Sequence, residues 1–302
     1  MLLLACLLVG CTDNDNPIED PISQKTVRHL VFIGLDGWGG YNLDLTKMPT
    51  IFSLKEQGVW TLSKQAVMPS GSGQNWTTMF MGVGPEIHGY TNWDSTAPSI
   101  QYDFDVKNNI FPTVFQILRE QKPESEIGVF FQWDKIRYFV DSLSVSYMRS
   151  IPLIKGHECI TDSVKKYITD KKPTLCAVIY DDPDHTGHKE GYFSEKYYDV
   201  LIKLDSCINE IVKTTKQVGI YDETVFIITS DHGGLGNAHG GDSPNEINTP
   251  FFMFGRSVKK MGLVDSAIMQ YDVAQIMARA LNLKVSPLWT GNNHQDFFDN
   301  NK

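Results

Sequence analysis

The chain has 302 residues, 41% of them hydrophobic and 21% charged, with a net charge of −9 and a pI of about 5.3. That size and balance belong to a folded globular protein of one large α/β domain or two small ones. The acidic surplus gives no footprint for a nucleic-acid polymer, and it makes any anionic substrate dependent on local cations, either metal ions or a few Lys/Arg.

In chain order, Leu2–Val9 comes first, an unbroken apolar run of eight residues. It suits the core of a signal peptide and is too short to cross a bilayer as a helix. Leu8-Val9-Gly10-Cys11 resembles a bacterial lipoprotein box, although no basic segment precedes the run. This predicts a signal peptide with its lipidation cysteine over 1–11 and a lipid anchor at Cys11. The chain is then expected in the bacterial cell envelope, on the periplasmic face or the cell surface. Residues 12–26 are polar and contain proline, as a tether does. Residues 27–297 remain for a single domain. Cys159, Cys176 and Cys207 are an odd set without C-x-x-C spacing, which argues against a thiolate zinc site and for buried, inert thiols.

Five short runs read as strands: "HLVFIGL" (29–35), "EIGVFFQW" (126–133), "TLCAVIY" (174–180), "TVFIITS" (224–230) and "TPFFMFG" (249–255). The first, third and fourth are nearly continuous in hydrophobicity, as strands buried on both faces are. Helical spacing marks 48–57, 73–81, 111–121, 159–170, 194–216 and 269–281. The alternation predicts an α/β fold, a mostly parallel central sheet flanked by helices on both faces. The polar, turn-rich residues 89–110 and part of 140–160 read as small cap insertions over one edge of it.

The three strongest strands each run into carboxylates or histidines. They end in "GLDG" with Asp36, in "YDDPDHTGH" with Asp181, Asp182, Asp184, His185 and His188, and in "TSDHGGLGNAHGG" with Asp231, His232 and His239. Ligands bind at the carboxyl ends of strands in such sheets, and right-handed crossovers bring those ends to one edge. Several carboxylates converging in one site repel each other unless a cation neutralises them. Asp oxygens and His nitrogens without Cys suit Zn²⁺ first and Mn²⁺ nearly as well. Each cluster also has a plainer reading, as a turn residue, a helix cap or a solvated loop. All three would then have to coincide at one sheet edge by accident.

"PSGSGQNWTT" (69–78) separates an extended segment from a helix. Ser72 stands where an N-cap belongs, in the positive field of the helix N-terminus. It is either only a cap or a hydroxyl activated for attack. Trp38, Trp76, Trp93 and Trp133 fall near strand ends or this helix, and read as core packing or as an aromatic platform for substrate.

Together these residues resemble the alkaline phosphatase superfamily, and within it the type I phosphodiesterase/nucleotide pyrophosphatase-like branch. Four segments in family order carry the resemblance: "VFIGLDGWGG", "MPSGSGQNWTTMFMGVGPEIHGY", "DDPDHTGHKEG" and "ITSDHGG…HGG". It implies an alkaline phosphatase-like catalytic domain and a metal-dependent hydrolase of phosphate esters acting on a small phosphorylated substrate. Ser72 would be the nucleophile, forming a covalent phospho-Ser72, and Asn75 would donate to a phosphoryl oxygen. Asp184, His188 and His239 would hold one divalent ion; Asp36, Asp231, His232 and Ser72 would hold the other. Asp182 and His185 become spacers or outer groups, and Ser70 a control for Ser72. The branch commonly uses Thr as nucleophile and "F-P-N" after it, where this chain has Ser72 and Gly73-Gln74-Asn75. Sulfatases share the fold but need C/S-x-P-x-R, and Ser72-Gly73-Gln74-Asn75 lacks the Pro and the Arg. The alternatives are a phosphomonoesterase on the same residues and a non-catalytic surface-binding lipoprotein.

Overall fold

The structure, a computed structural model, describes residues 27–41 and 43–299. The segments expected to be a signal peptide with Cys11 and a tether lie outside the described residues. The strands are β1 (His29–Asp36), β2 (Gly58–Gln65), β3 (Ile127–Phe131), β4 (Tyr147–Ser150), β5 (Leu175–Pro183), β6 (Thr224–Thr229), β7 (Asn248–Gly255) and β8 (Gly262–Leu263). They form one sheet in the order β4-β3-β5-β1-β6-β7-β2-β8. All neighbouring pairs are parallel except β6–β7 and β7–β2, which are antiparallel. The helices are α1 (Pro49–Leu54), α2 (Ser72–Met81), α3 (Pro85–His88), α4 (Val114–Gln121), α5 (His157–Lys171), α6 (Asp184–Glu190), α7 (Glu195–Gln217), α8 (Pro244–Ile247) and α9 (Asp272–Ala280).

Alternation along the central strands explains why helices cover both faces. Leu30 and Phe32 of β1 pack into one core with Trp76, Met79 and Phe80 of α2, Phe115 of α4 and Met277 of α9. Val31, Ile33 and Leu35 point the other way, into a second core with Ile51 of α1, Ile168 of α5 and Leu204 of α7. Side chains alternate across a strand, so a strand buried on both faces must be apolar throughout. The expected α/β sheet, mostly parallel and flanked on both faces, is therefore the observed one.

Three differences have local causes. "TPFFMFG" is a strand, but β7 runs against the sheet: the chain between it and β6 is spent on the site loop and the short α8, with no helix long enough to carry a crossover. The 140–160 segment contains the edge strand β4, whose Tyr147 and Arg149 alternate with Met148 and Ser150 too weakly in polarity to stand out. Of the three thiols, Cys176 and Cys207 are buried but Cys159 is exposed, on the outer side of α5, so the expectation of three buried thiols fails there.

Candidate active site

Strands β5, β1 and β6 are neighbours at the centre of the sheet, and their carboxyl ends bring the predicted residues together. Asp36 ends β1, Asp184 opens α6 directly after β5, and Asp231 and His232 follow β6. Among the described residues, two groups bring their ligand atoms within 4.8 Å of one another: Asp36, Asp231 and His232, and Asp184, His232 and His239. His188 joins the second group from one turn along α6, with Nε2 3.4 Å from Asp184 Oδ2 and its ring 5.0 Å from that of His239.

The histidines are fixed in one sense. Nδ1 of His232 meets Gly233 O at 2.8 Å, Nδ1 of His239 meets Ser70 O at 2.8 Å, and Nδ1 of His188 meets Asn237 O at 2.8 Å. A carbonyl only accepts, so each Nδ1 carries a proton and each ring turns its Nε2 toward the site. This is the arrangement that orients metal-ligating imidazoles. The carboxylates are held likewise by one oxygen each. Trp76 Nε1 donates to Asp36 Oδ2 at 2.9 Å, Gly37 N donates to Asp231 Oδ1 at 3.0 Å, and the Tyr192 hydroxyl donates to Asp184 Oδ1.

The remaining atoms make the case for a cation. Asp231 Oδ2 is buried without a hydrogen-bond partner, and His232 Nε2 faces it at 3.3 Å. When Asp231 is ionised, two lone pairs at that distance repel each other, and an unpaired buried acceptor costs about 1–3 kcal/mol. A bound cation removes both penalties. Burial, then the charges of Asp231, Asp184 and Asp181, pushes the Asp36 carboxyl well above its usual range. Burial raises Asp231 also. Burial and the neighbouring His239 hold His232 down at about 3, so its ring is neutral. The donor set of oxygens and imidazole nitrogens fits divalent ions of the Zn²⁺ or Mn²⁺ type.

Ser72 faces this assembly. Its Oγ lies 3.0 Å from His232 Nε2 and 3.5 Å from Asp36 Oδ1. It is the first residue of α2, not its N-cap; Gly71 takes the cap position and no side chain caps the helix. The hydroxyl is thus free of a capping bond. Trp76, one turn further on, reaches the same Asp36, so a single helix face binds the carboxylate through one residue and offers it a hydroxyl through the other. Gly73 is required for a different contact: a Cβ there would stand 2.4 Å from Trp93 O and 2.6 Å from Asn92 O.

Two expectations for this segment are corrected. Asn75 is fully buried, its Oδ1 accepts from Val67 N at 2.8 Å, and its Nδ2 donates to Gly71 O at 3.0 Å and Val67 O at 3.2 Å. It pins the turn before α2 and does not line the cavity in front of Ser72. Ser70 is no neutral control either. Its Oγ donates to Gly241 O at 2.6 Å and accepts from Gly240 N at 3.0 Å, while its carbonyl holds His239. Asp182 is an outer group: Thr186 N and Oγ1 bind its Oδ1, and His157 Nε2 lies 3.2 Å from Oδ2. His185 lines a separate groove with Lys189 and Lys203.

The cavity before Ser72, of about 620 Å³, is lined by Gln74, Asn92, Trp93, Trp133 and Asp181 besides the residues already placed. Its lining contains no lysine or arginine. Trp38 and Trp76 are core residues, whereas Trp93 and Trp133 line the cavity with ring planes 17° apart and centroids 6.4 Å apart. Burial, then Asp184 and Asp182, raises Asp181 to about 6. The sequence contains little to single out Asn92 or Tyr192: both sit in irregular segments whose placement depends on contacts with distant residues.

Fold and site define an alkaline phosphatase-like protein with a serine set before two carboxylate–histidine groups. Among solved structures, the chain resembles murine ectonucleotide pyrophosphatase/phosphodiesterase 5, an inactive variant in complex with AMP. The TM-score is 0.74 at 16% identity, over 90% of this chain and 100% of that one. A 2-O glycosaminoglycan sulfatase shares the fold at TM-score 0.72 and 12% identity, over 91% and 75% of the two chains. Among curated sequences, bis(5'-adenosyl)-triphosphatase ENPP4 of Bos taurus is 24% identical over 77% of this chain and 52% of its own length. Venom phosphodiesterase 2 of Crotalus adamanteus is 26% identical over 68% of this chain and 26% of its own. The chain thus spans about half of the first relative and a quarter of the second. The type I phosphodiesterase/nucleotide pyrophosphatase family matches residues 30–249, and the chain belongs to it.

Proposed function

We propose that the protein hydrolyses phosphodiesters through a covalent phospho-Ser72, with Asp36, Asp231 and His232 holding one divalent ion and Asp184, His188 and His239 the other. The observation that carries this reading is the environment of Ser72 Oγ: it lies 3.0 Å from His232 Nε2, at the floor of an open cavity and at the start of a helix. Two ions, Zn²⁺ first by the donor set and Mn²⁺ second, would supply the positive charge that acidifies the hydroxyl and offsets the charge of the phosphoryl group. Ser72 Oγ bonds to phosphorus as the bond to the first alcohol breaks. Water then cleaves phospho-Ser72, regenerating the serine and releasing a phosphate monoester. The uncapped N-terminus of α2 would offer its free backbone N–H groups to the phosphoryl oxygens.

A diester is favoured over a monoester by charge. A monoester carries a second negative charge near neutral pH, and the cavity lining offers no side-chain cation to receive it. Trp93 and Trp133 form the wall for the esterified group. A nucleotide is the first candidate, since one relative is named a bis(5'-adenosyl)-triphosphatase and one structural neighbour, an ectonucleotide pyrophosphatase/phosphodiesterase, is described with AMP. The purified protein, loaded with Zn²⁺ or Mn²⁺, is assayed on bis-p-nitrophenyl phosphate and p-nitrophenyl phosphate, then on nucleotide, sugar-phosphate and lipid head-group esters. Preference for the diester supports the reading. Preference for the monoester makes the protein a phosphomonoesterase, and neither turnover nor bound metal makes it a binding module.

Asn92, not Asn75, is the amide we assign to the phosphoryl oxygens. Asn92→Ala should lower kcat by about 10²–10³-fold, the usual loss for one such donor. Asn75→Ala should instead cost about 1–3 kcal/mol of stability, because it strips a buried N–H and carbonyls of their partners. Urea denaturation beside steady-state kinetics separates the two effects. The lipid anchor at Cys11 belongs to the same proposal. Cys11→Ser should move the protein from the membrane to the soluble fraction, and an unchanged distribution would refute the anchor.

A further inference from the structure

Lys64 is a fully buried lysine on β2, and neither the fold nor the proposed chemistry accounts for it. It pairs across the ladder with Thr249 of β7, the strand that lies between β2 and β6. Its side chain crosses the width of β7, and Nζ donates to Ser230 O at 2.9 Å and to the Gln270 amide oxygen. Gln270, also fully buried, donates from Nε2 to Asp231 O at 2.7 Å and is itself held by its N–H on Gln65 O at 2.9 Å. Both partners of the Lys64 ammonium are neutral oxygens. A lysine is an expensive group to bury on those terms.

The backbone next to the site explains the need. β6 ends at Thr229, so the carbonyls of Ser230 and Asp231 have left the sheet ladder while remaining buried. Buried carbonyls require donors, and these two receive them from Lys64 and Gln270. The same peptides carry Asp231 Oδ2, the orphaned acceptor, and lead into His232, whose Nε2 faces it at 3.3 Å. On the near side the segment is tied to β1 through Gly37 N on Asp231 Oδ1 at 3.0 Å and Trp38 N on Ser230 Oγ at 2.8 Å. Lys64 and Gln270 tie the same two peptides from the far side.

We propose that Lys64 and Gln270 are positioning residues, a brace that reaches from β2 and the turn before α9 to set where Asp231 and His232 stand toward a divalent ion. The proposal rests on the two-ion reading above. With His232 assigned to the ion that Asp36 and Asp231 hold, the brace acts on that site; Asp184, His188 and His239 hang on α6 and on the 237–241 loop, which it does not touch.

The test uses Lys64→Met and Gln270→Met, apolar replacements of similar length. Metal-free protein is titrated with Co²⁺, the absorption of the bound ion and the two site affinities are recorded, and the thermal midpoint of the metal-free protein is measured alongside. In each variant one site should weaken by about 10–100-fold, the usual loss when a group behind a ligand is removed, with a changed Co²⁺ spectrum. The other site should keep its affinity. Wild-type affinity at both sites, or equal loss at both, overturns the brace, whatever happens to the thermal midpoint. If Lys64→Met does not fold, Gln270→Met is judged by the same criteria. A wild-type protein that binds no Co²⁺ overturns the two-ion reading itself, a result distinct from intact binding in the variants.

Discussion

Ser72→Ala is expected to reduce diester turnover by about 10³-fold or more while leaving two divalent ions bound. The serine supplies the bond-forming oxygen, and no other hydroxyl takes its place. Ser70 is occupied by Gly240 and Gly241, and Thr77 donates to Gly73 O at 2.6 Å. The ligand atoms survive the substitution, because Trp76, Gly37 and the three histidine–carbonyl bonds hold them independently of Ser72. Activity and metal content should therefore separate. Kinetics beside elemental analysis of the same preparation gives the answer, and a variant with full turnover removes Ser72 from the mechanism. Acid-quenched wild-type protein given a ³²P-labelled diester should retain label that Ser72→Ala does not.

Chelation is expected to abolish turnover and to destabilise the protein, more so at higher pH. In the metal-free protein, burial raises Asp36 and Asp231, and Asp181 stands at about 6. A carboxyl whose folded pKa exceeds its unfolded value costs nothing in acid, where both states are protonated. Its cost grows as pH rises from about 4, because the unfolded chain ionises first, and levels off above the folded pKa. His232, held at about 3, runs the other way, destabilising the fold as pH falls below the usual histidine value. Cation binding separates the two effects. His232 is already unprotonated above about 3, whereas Asp36 and Asp231 must give up protons to the ion. The gain in thermal midpoint on adding Zn²⁺ should thus increase from pH 5 to pH 8, with proton release on binding. At a free-ion concentration about 100 times Kd, each site adds about 2.7 kcal/mol. A gain that is flat or falls with pH contradicts the carboxylate assignment, and isothermal titration in buffers of different ionisation enthalpy counts the protons.

What could be read before the structure was what depends on local pattern. Continuous apolar runs gave β1, β5 and β6, and each led directly into the carboxylates and histidines that converge. The direction of β7 was not legible, since strand polarity depends on the connection and not on the strand's own residues. Ser72 was legible as the residue at the start of α2, but its position inside the helix was not, because Gly71 and Ser72 are both acceptable caps. Asn75 misled for a physical reason. The family resemblance implied a contact with substrate, whereas this amide, one turn into a helix, turns back to satisfy Val67 and Gly71. Asn92 is twenty positions beyond Ser72 and reaches the cavity only because a Gly73 without a side chain lets its backbone approach. Trp76, Tyr192, Lys64 and Gln270 make hydrogen bonds that span 8 to 206 positions, and no spacing rule reports such pairs.

The proposed ions are held across β5, β1 and β6, strands joined by crossovers so long that Gly37 and Asp231 meet at a separation of 194 positions. Neither group of ligands can form from one contiguous stretch of chain. Closing such long loops is slow, so the cavity exists only after the middle of the sheet has assembled. A cation would then be captured late, and afterwards it would act as a rivet through the three central strands. Opening the sheet at its middle would require the rivet to leave first. Metal exchange and unfolding should thus share a slow step, and loss of the outer strands β4 or β8 should leave that step unchanged.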